Sequence, residues 1–317
     1  MMKVFTTTLG QMAFLFLLIA LGYILKKIKA IPDNTPSVLS KLENNALIPA
    51  LVMGTLMTEF TFEKLSASWQ YLVGGAVVTA VSMVLAIIFS RIIVKDRYER
   101  NLYTYGLTFS NFGFMGNAVV NALFPEVFPY YLILTIPLWI LIYVWGVPSL
   151  LMPHGGEKTG MLSRLRKLIN PMFIAMLIGM ILGISGAVNH MPKFIVDSVN
   201  TLGSCMSPVA MLLTGMTVAE MGLGKAFSKF SVYIVSVIRL IVIPMIFMVP
   251  LMFLPIPKGI SLCIICSVAM PLGLNTIVVP KAYDLDTSVG SSMALISHIM
   301  SCGTIPLIFM LFELLVK

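Results

Sequence analysis

Two stretches decide how this chain reads: Ser110-Asn111-Phe112-Gly113-Phe114-Met115-Gly116-Asn117 and Met270-Pro271-Leu272-Gly273-Leu274-Asn275-Thr276. Each sits near the middle of a long apolar run, residues 101–123 and 259–282, and each places helix breakers there. Proline removes a backbone donor and clashes with the preceding turn, and glycine raises the cost of staying helical, so both runs are expected to unwind at mid-length. A break inside hydrocarbon frees backbone groups that must find partners, which is tolerable where it lines a buried cavity. The half-helix that resumes after each break offers unpaired N–H groups and the positive end of its dipole, an arrangement suited to a carboxylate. Asn111, Asn117, Asn275 and Thr276 add side-chain hydrogen bonds, and Gly113, Gly116, Pro271 and Gly273 shape the breaks. These eight residues form the candidate substrate site. The alternative is a pair of kinks with no cavity between them.

The rest of the chain says where such a site would lie. Of 317 residues, 58% are hydrophobic and 11% charged, with a mean hydropathy of +0.98. A soluble domain carries charge on about a quarter of its residues, so most of this surface must face lipid. That excludes a soluble enzyme, a disordered chain, a disulfide-stapled secreted module and a nucleic-acid-binding protein, despite the net charge of +8. Ten apolar runs are long enough to span a bilayer: 8–27, 38–58, 69–93, 101–123, 128–151, 168–188, 194–218, 229–253, 259–282 and 288–314. The first ends in Lys26, Lys27 and Lys29 with no small-residue cleavage site, so it reads as a retained helix. Alternating the loops between two sides puts fourteen of the 21 Lys and Arg residues on one side and five on the other. The basic side is expected to be cytoplasmic, with both termini outside, in a multi-pass protein of the cell membrane. Cys205, Cys263, Cys266 and Cys302 all lie in apolar stretches and read as packing residues.

Residues 152–167, with His154, Lys158 and a basic cluster, form a cytoplasmic linker that leaves five runs on either side. Shifting the second half back by 159 residues superposes Pro208 on Pro49 and the ninth run on the fourth. Five spans per copy is an odd number, so the second copy enters the membrane from the opposite face. The expected fold is therefore all-α and polytopic: ten transmembrane helices in two inverted five-helix repeats, residues 1–151 and 168–317, with broken helices four and nine. Inverted repeats of this kind supply the two interchangeable states of alternating access.

At this point the residues resemble a known family. Ala269-Met270-Pro271-Leu272-Gly273, then Lys281-Ala282-Tyr283 and Ile305-Pro306, with Asn111, Met115-Gly116, Pro49 and Leu213-Thr214-Gly215, are similar to the auxin efflux carrier family. That family includes plant PIN-FORMED carriers and bacterial relatives described as malate or malonate permeases. The resemblance implies a scaffold of helices 1, 2, 6 and 7, a mobile transport domain of helices 3–5 and 8–10, a substrate site where the broken helices cross, and homodimers. Plant members have proline where this chain has Ala118 and Thr276, and this chain adds asparagines at 117 and 275. The more polar crossover points away from auxin and toward a smaller hydrophilic anion. The short linker points to a prokaryotic transporter in the bacterial cytoplasmic membrane.

Ionisable and polar groups inside the spans each carry two readings. Arg239, at the centre of the eighth span, either complements the substrate anion or, as the preferred reading, neutralises an acidic partner. Lys281 either snorkels at the end of span nine or touches substrate. Glu43, Asn44 and Asn45 near Pro49, and Ser204 and Ser207 near Pro208, are candidate scaffold contacts, and Glu43 is a candidate proton carrier. His298 in span ten either packs or relays a proton. The leading function is an elevator-like secondary carrier of a small mono- or dicarboxylate, such as malate, malonate or an auxin-like acid, with a proton or sodium gradient as coupling options. A channel or receptor using the same cavity is the runner-up. An intramembrane enzyme is the weakest reading, for there is no H-E-x-x-H and no clustered histidine. No P-loop is present either, and no cofactor or metal is expected.

Overall fold

The computed structural model describes residues 2–152 and 171–316. The candidate linker therefore lies almost wholly outside the described residues. Among the described residues the chain is helical throughout, and its sole extended pairing is an isolated antiparallel bridge between Ser110 and Leu272. Apart from short helical turns at Phe62–Ala67, Ala187–His190 and Leu223–Ala226, the helices are α1 (Met2–Lys27), α2 (35–59), α3 (Trp69–Ile93), α4 (Arg97–Thr108), α5 (112–123), α6 (Phe128–Leu151), α7 (Pro171–Ser185), α8 (Lys193–Glu220), α9 (Phe230–Phe253), α10 (Lys258–Val268), α11 (Asn275–Ala282) and α12 (Ser288–Leu315). Five of them, α3, α6, α8, α9 and α12, are long and apolar enough to cross a membrane uninterrupted.

The surface shows what solvent these helices expect. Along α3, Val73, Val77, Val81, Val84, Ile88 and Ile92 are exposed, while Gly75, Thr79, Ser82, Ala86 and Ser90 are buried. Large apolar side chains outside and small or hydroxylated ones inside is the reverse of a water-soluble helix. It is the pattern of a membrane helix, where small residues let backbones approach and the lipid solvates the rest.

Small residues also fix which helices pair. Gly22 of α1 lies against the Leu212 backbone of α8, and Gly215 of α8 against the Ile19 backbone of α1. Gly179 and Gly183 of α7 abut the α2 backbone at Met53, Leu56 and Phe60, so this GxxxG is used within the chain. A Cβ at Gly75 would meet the Leu134 carbonyl of α6. Four stretches widen to π-helix, at Glu43–Leu47, Phe112–Gly116, Ile142–Leu151 and Ile238–Val242. The first and last of these contain the buried Glu43 and Arg239.

Candidate functional site

The helices that the sequence expects to break do break. α4 ends at Thr108 and α10 at Val268, and the two unwound segments cross with extended backbone. At the crossing, the Asn111 amide donates to the Pro271 carbonyl over 2.7 Å. Gly273 is placed so that a Cβ would come to 3.0 Å from the Phe109 carbonyl, a tight contact that glycine avoids where the two segments approach. The glycines of the first stretch do other work. Gly113 lies under the Trp139 ring and Gly116 under the Tyr131 hydroxyl, both within the turn that resumes after the break. The Tyr131 hydroxyl donates to the Phe112 carbonyl at 3.0 Å.

A broken helix leaves its last carbonyls without intrahelical partners and gathers negative partial charge there. Arg239 answers both breaks at once. Its guanidinium donates to Leu107 O at 2.9 Å, near the end of α4, and to Met270 O at 3.2 Å and Ser267 O at 3.3 Å, at the end of α10. The side chain is 1% exposed. This corrects the sequence reading that an acidic residue neutralises Arg239: its partners among the described residues are three backbone carbonyls, which residue identities do not advertise. Ser110 Oγ also donates to Ser267 O, at 2.7 Å, stitching the first break to the end of α10.

α12 reaches the crossing with two adjacent residues. Ser297 Oγ accepts from the Leu272 amide at 3.2 Å, and His298 Nε2 lies 3.0 Å from Asn111 Nδ2. The other ring nitrogen, Nδ1, is 2.7 Å from the Ala294 carbonyl. Since a carbonyl only accepts, Nδ1 carries the hydrogen, and Nε2 is left as acceptor for the Asn111 amide. On the second break, Asn275 Nδ2 donates to the Tyr105 hydroxyl at 2.8 Å. Asn111 and Asn275 are buried, and the Oδ1 of each has no hydrogen-bond partner among the described residues. Thr276 Oγ1 turns back to Gly273 O at 2.9 Å and caps its own turn. Asn117 is half-buried at the start of the resumed helix.

The other predicted residues separate into two groups. Ser40 Oγ and Asn44 Nδ2 of α2 both donate to the Val278 carbonyl of α11, the latter at 3.0 Å. Beside them Glu43 is fully buried, with neither carboxyl oxygen hydrogen-bonded to a described residue. Asn45 and Ser204, by contrast, are exposed and bond the backbone of their own helices, at Lys41 O and Thr201 O. Ser207 is half-buried on α8. The structure does not bring Asn45 and Ser204 to the crossing: at one helical step from the buried Asn44 and Gly203, each is turned by about 100° onto an exposed face. Lys281 is not at the crossing either. It pairs with Glu220 at 2.8 Å, and Glu220 also holds Lys26 at 3.3 Å.

That ion cluster belongs to a cavity of about 670 Å³ at the Lys281 end, bordered by Glu99, Glu220, Lys229, Lys281, Asp284 and Asp286. Tyr98, ahead of the apolar part of its helix, donates to the Asp286 carbonyl at 2.6 Å. Burial and then the Asp286 carboxylate push its phenol up to about 12, so it remains a donor at any physiological pH. At the other end of the helices a second cavity, about 830 Å³, opens between the end of α2, the start of α6 and the end of α7. Tyr105, Ser110, Tyr131, Ser267 and Ser297 were not singled out from sequence. The nearest signal was Ser297 beside His298.

A family model described as membrane transport protein matches residues 7–309 of this chain. No curated protein matches it.

Proposed function

The chain belongs to this membrane transport family, of the auxin efflux carrier type, and from that premise we propose that it is a secondary carrier of a small organic anion. The observation that carries the reading is the crossing itself. Two unwound segments meet inside the helical bundle, and a buried asparagine beside each keeps hydrogen-bonding capacity that no described residue uses. An unpaired amide oxygen in such a setting is costly, and an amide turned about its axis would give its NH2 to a desolvated carboxylate, which offsets that cost. Asn111, Asn117, Asn275 and Thr276, with the backbone around Gly113, Gly116, Pro271 and Gly273, are the proposed binding residues, and a mono- or dicarboxylate is the proposed substrate.

In this reading the ten spans form two inverted repeats, with α4 and α5 as the two halves of the fourth span and α10 and α11 as those of the ninth. The helix pairing supports it: α1 with α8 and α7 with α2 are the partners that exchange of repeats would interconvert. α1, α2, α7 and α8 then form the scaffold, and the remaining spans move against it. With the basic side cytoplasmic, the Lys281 end is inside. Ser40, Asn44 and Glu220 hold α11 there, and the opposite cavity lies between scaffold helices α2 and α7 and mobile helix α6, which together describe a carrier closed inward. Glu43 is the scaffold's candidate proton carrier.

The test is uptake by purified protein in liposomes, over a panel of small carboxylates, at two pH values and with or without sodium. Saturable uptake, accelerated by the same anion preloaded inside, supports the carrier. Flux that neither saturates nor responds to preloading supports a pore. Asn111→Ala and Asn275→Ala should each lower uptake about 10-fold or more with the fold intact, since each removes a buried hydrogen-bonding group of about 1–3 kcal/mol; unchanged uptake would remove the crossing from the site.

A further inference from the structure

The two crossing asparagines have partners of different kinds. Asn275 faces the Tyr105 hydroxyl, which donates or accepts by rotating its hydrogen, so this amide can present either its oxygen or its NH2 to the crossing with no change of charge. Asn111 has no such freedom. His298 Nδ1 is committed to the Ala294 carbonyl, so neutral Nε2 only accepts, and it holds the Asn111 NH2 toward itself. The unpartnered Oδ1 of Asn111, a residue 1% exposed, is thereby turned away from the imidazole. An oxygen aimed at an anion site repels the anion.

We infer that His298 and Asn111 form a proton-gated switch: a proton taken up on His298 Nε2 inverts the Asn111 amide, so that the site presents NH2 donors to a carboxylate. The balance is simple. A proton from the aqueous side to which the site is open binds Nε2, which becomes a donor, and the Asn111 side chain turns by half a rotation about its amide axis. Oδ1 then accepts from Nε2–H, and the two N–H groups of Nδ2 point where Oδ1 had been. The imidazolium also places a positive charge one side chain from the carboxylate. Anion and proton thus favour each other reciprocally, as linkage requires, and leave together. This rests on the proposal that the crossing binds an anion.

Other ionisable groups must be separated from this one. The helices packed around α12 carry Arg239 on α9, Tyr105 on α4 and Cys263 and Cys266 on α10 within their spans, while Tyr23, Lys26, Tyr98, Glu99, Glu220, Lys258 and Lys281 lie in the end turns and Tyr103 bonds Ser231. Arg239 is occupied by its three carbonyls. Glu43 sits on α2, with its own buried carboxyl.

The chain has three histidines, so a full-length His154→Gln, His190→Gln protein leaves one imidazole to observe by 15N NMR. Pyruvate and malate serve as probes, with binding measured by calorimetry at about pH 6 and about pH 8, where an ordinary histidine titrates. The expected results are an Nδ1–H tautomer at the higher pH, a larger fraction of doubly protonated imidazole at the lower pH when a probe is added, and about 10-fold tighter probe binding there. His298→Gln should flatten that pH dependence. An Nε2–H tautomer at the higher pH overturns the switch, as does probe binding with His298 still neutral; in both cases the anion site stands. Failure of both probes to bind at either pH overturns the anion site and the switch with it.

Discussion

The half-helices that resume after the two breaks carry the same signal in sequence, an asparagine just beyond a glycine, yet they are held in different ways. α11 is buried from Asn275 through Pro280 and is fastened to α2 by two donors on the Val278 carbonyl. α5 leaves Asn121 and Ala122 exposed and Asn117 half-buried. The reason is on the neighbouring helices. Ser40 and Asn44, which hold α11, correspond under the 159-residue shift to Val199 and Gly203, which have no side-chain donor. Gly203 instead packs directly on the Leu51 backbone of α2. In the proposed two-repeat arrangement, α11 is thus fastened by side chains that have no counterpart at the equivalent positions, and this difference is what we propose sets which end of the molecule is closed.

The strongest perturbation should erase the comparison altogether. Arg239→Met strips the donor from three buried carbonyls, on both broken helices, at about 1–3 kcal/mol each. The expected outcome is little folded protein, or a melting temperature in detergent lowered by many degrees; a wild-type melt would show that the carbonyls are satisfied some other way. The double change Ser40→Ala, Asn44→Leu acts on α11 alone. It should cost about 1–3 kcal/mol of docking and speed thiol labelling of a cysteine placed at Ile277 several-fold, whereas Asn121→Ala should leave that rate unchanged. If the double change leaves labelling as it was, α2 does not hold α11. The smallest effect belongs to Glu220→Gln, because a half-exposed ion pair contributes about 0–1 kcal/mol and weakens with salt. Labelling at the Ile277 cysteine should rise with ionic strength in otherwise wild-type protein and lose that dependence in the variant.

The breaks were legible because proline and glycine act on their own turn, so position in sequence suffices. Lipid exposure was legible from the scarcity of charge. What holds the breaks together was not. Arg239 bonds carbonyls of Leu107, Ser267 and Met270, and any residues on the same backbone path would have supplied the same oxygens. Asn111 and His298 are 187 positions apart, and their contact depends on how α12 packs across the crossing. A GxxxG such as Gly179 and Gly183 permits close helix approach without naming the partner, which the structure identifies as α2. Asn44 and Asn45 are adjacent letters with opposite fates, since one step along a helix turns a side chain by about 100° and here separates a buried donor from an exposed one.

The most direct test of the account is an experimental density map of the protein saturated with the best-transported carboxylate of the panel. The account predicts interrupted helices at residues 109–111 and 269–274, with the carboxylate at their crossing, in hydrogen-bonding reach of Asn111 and Asn275. Two uninterrupted helices through these residues, or the anion bound away from both asparagines, would contradict it.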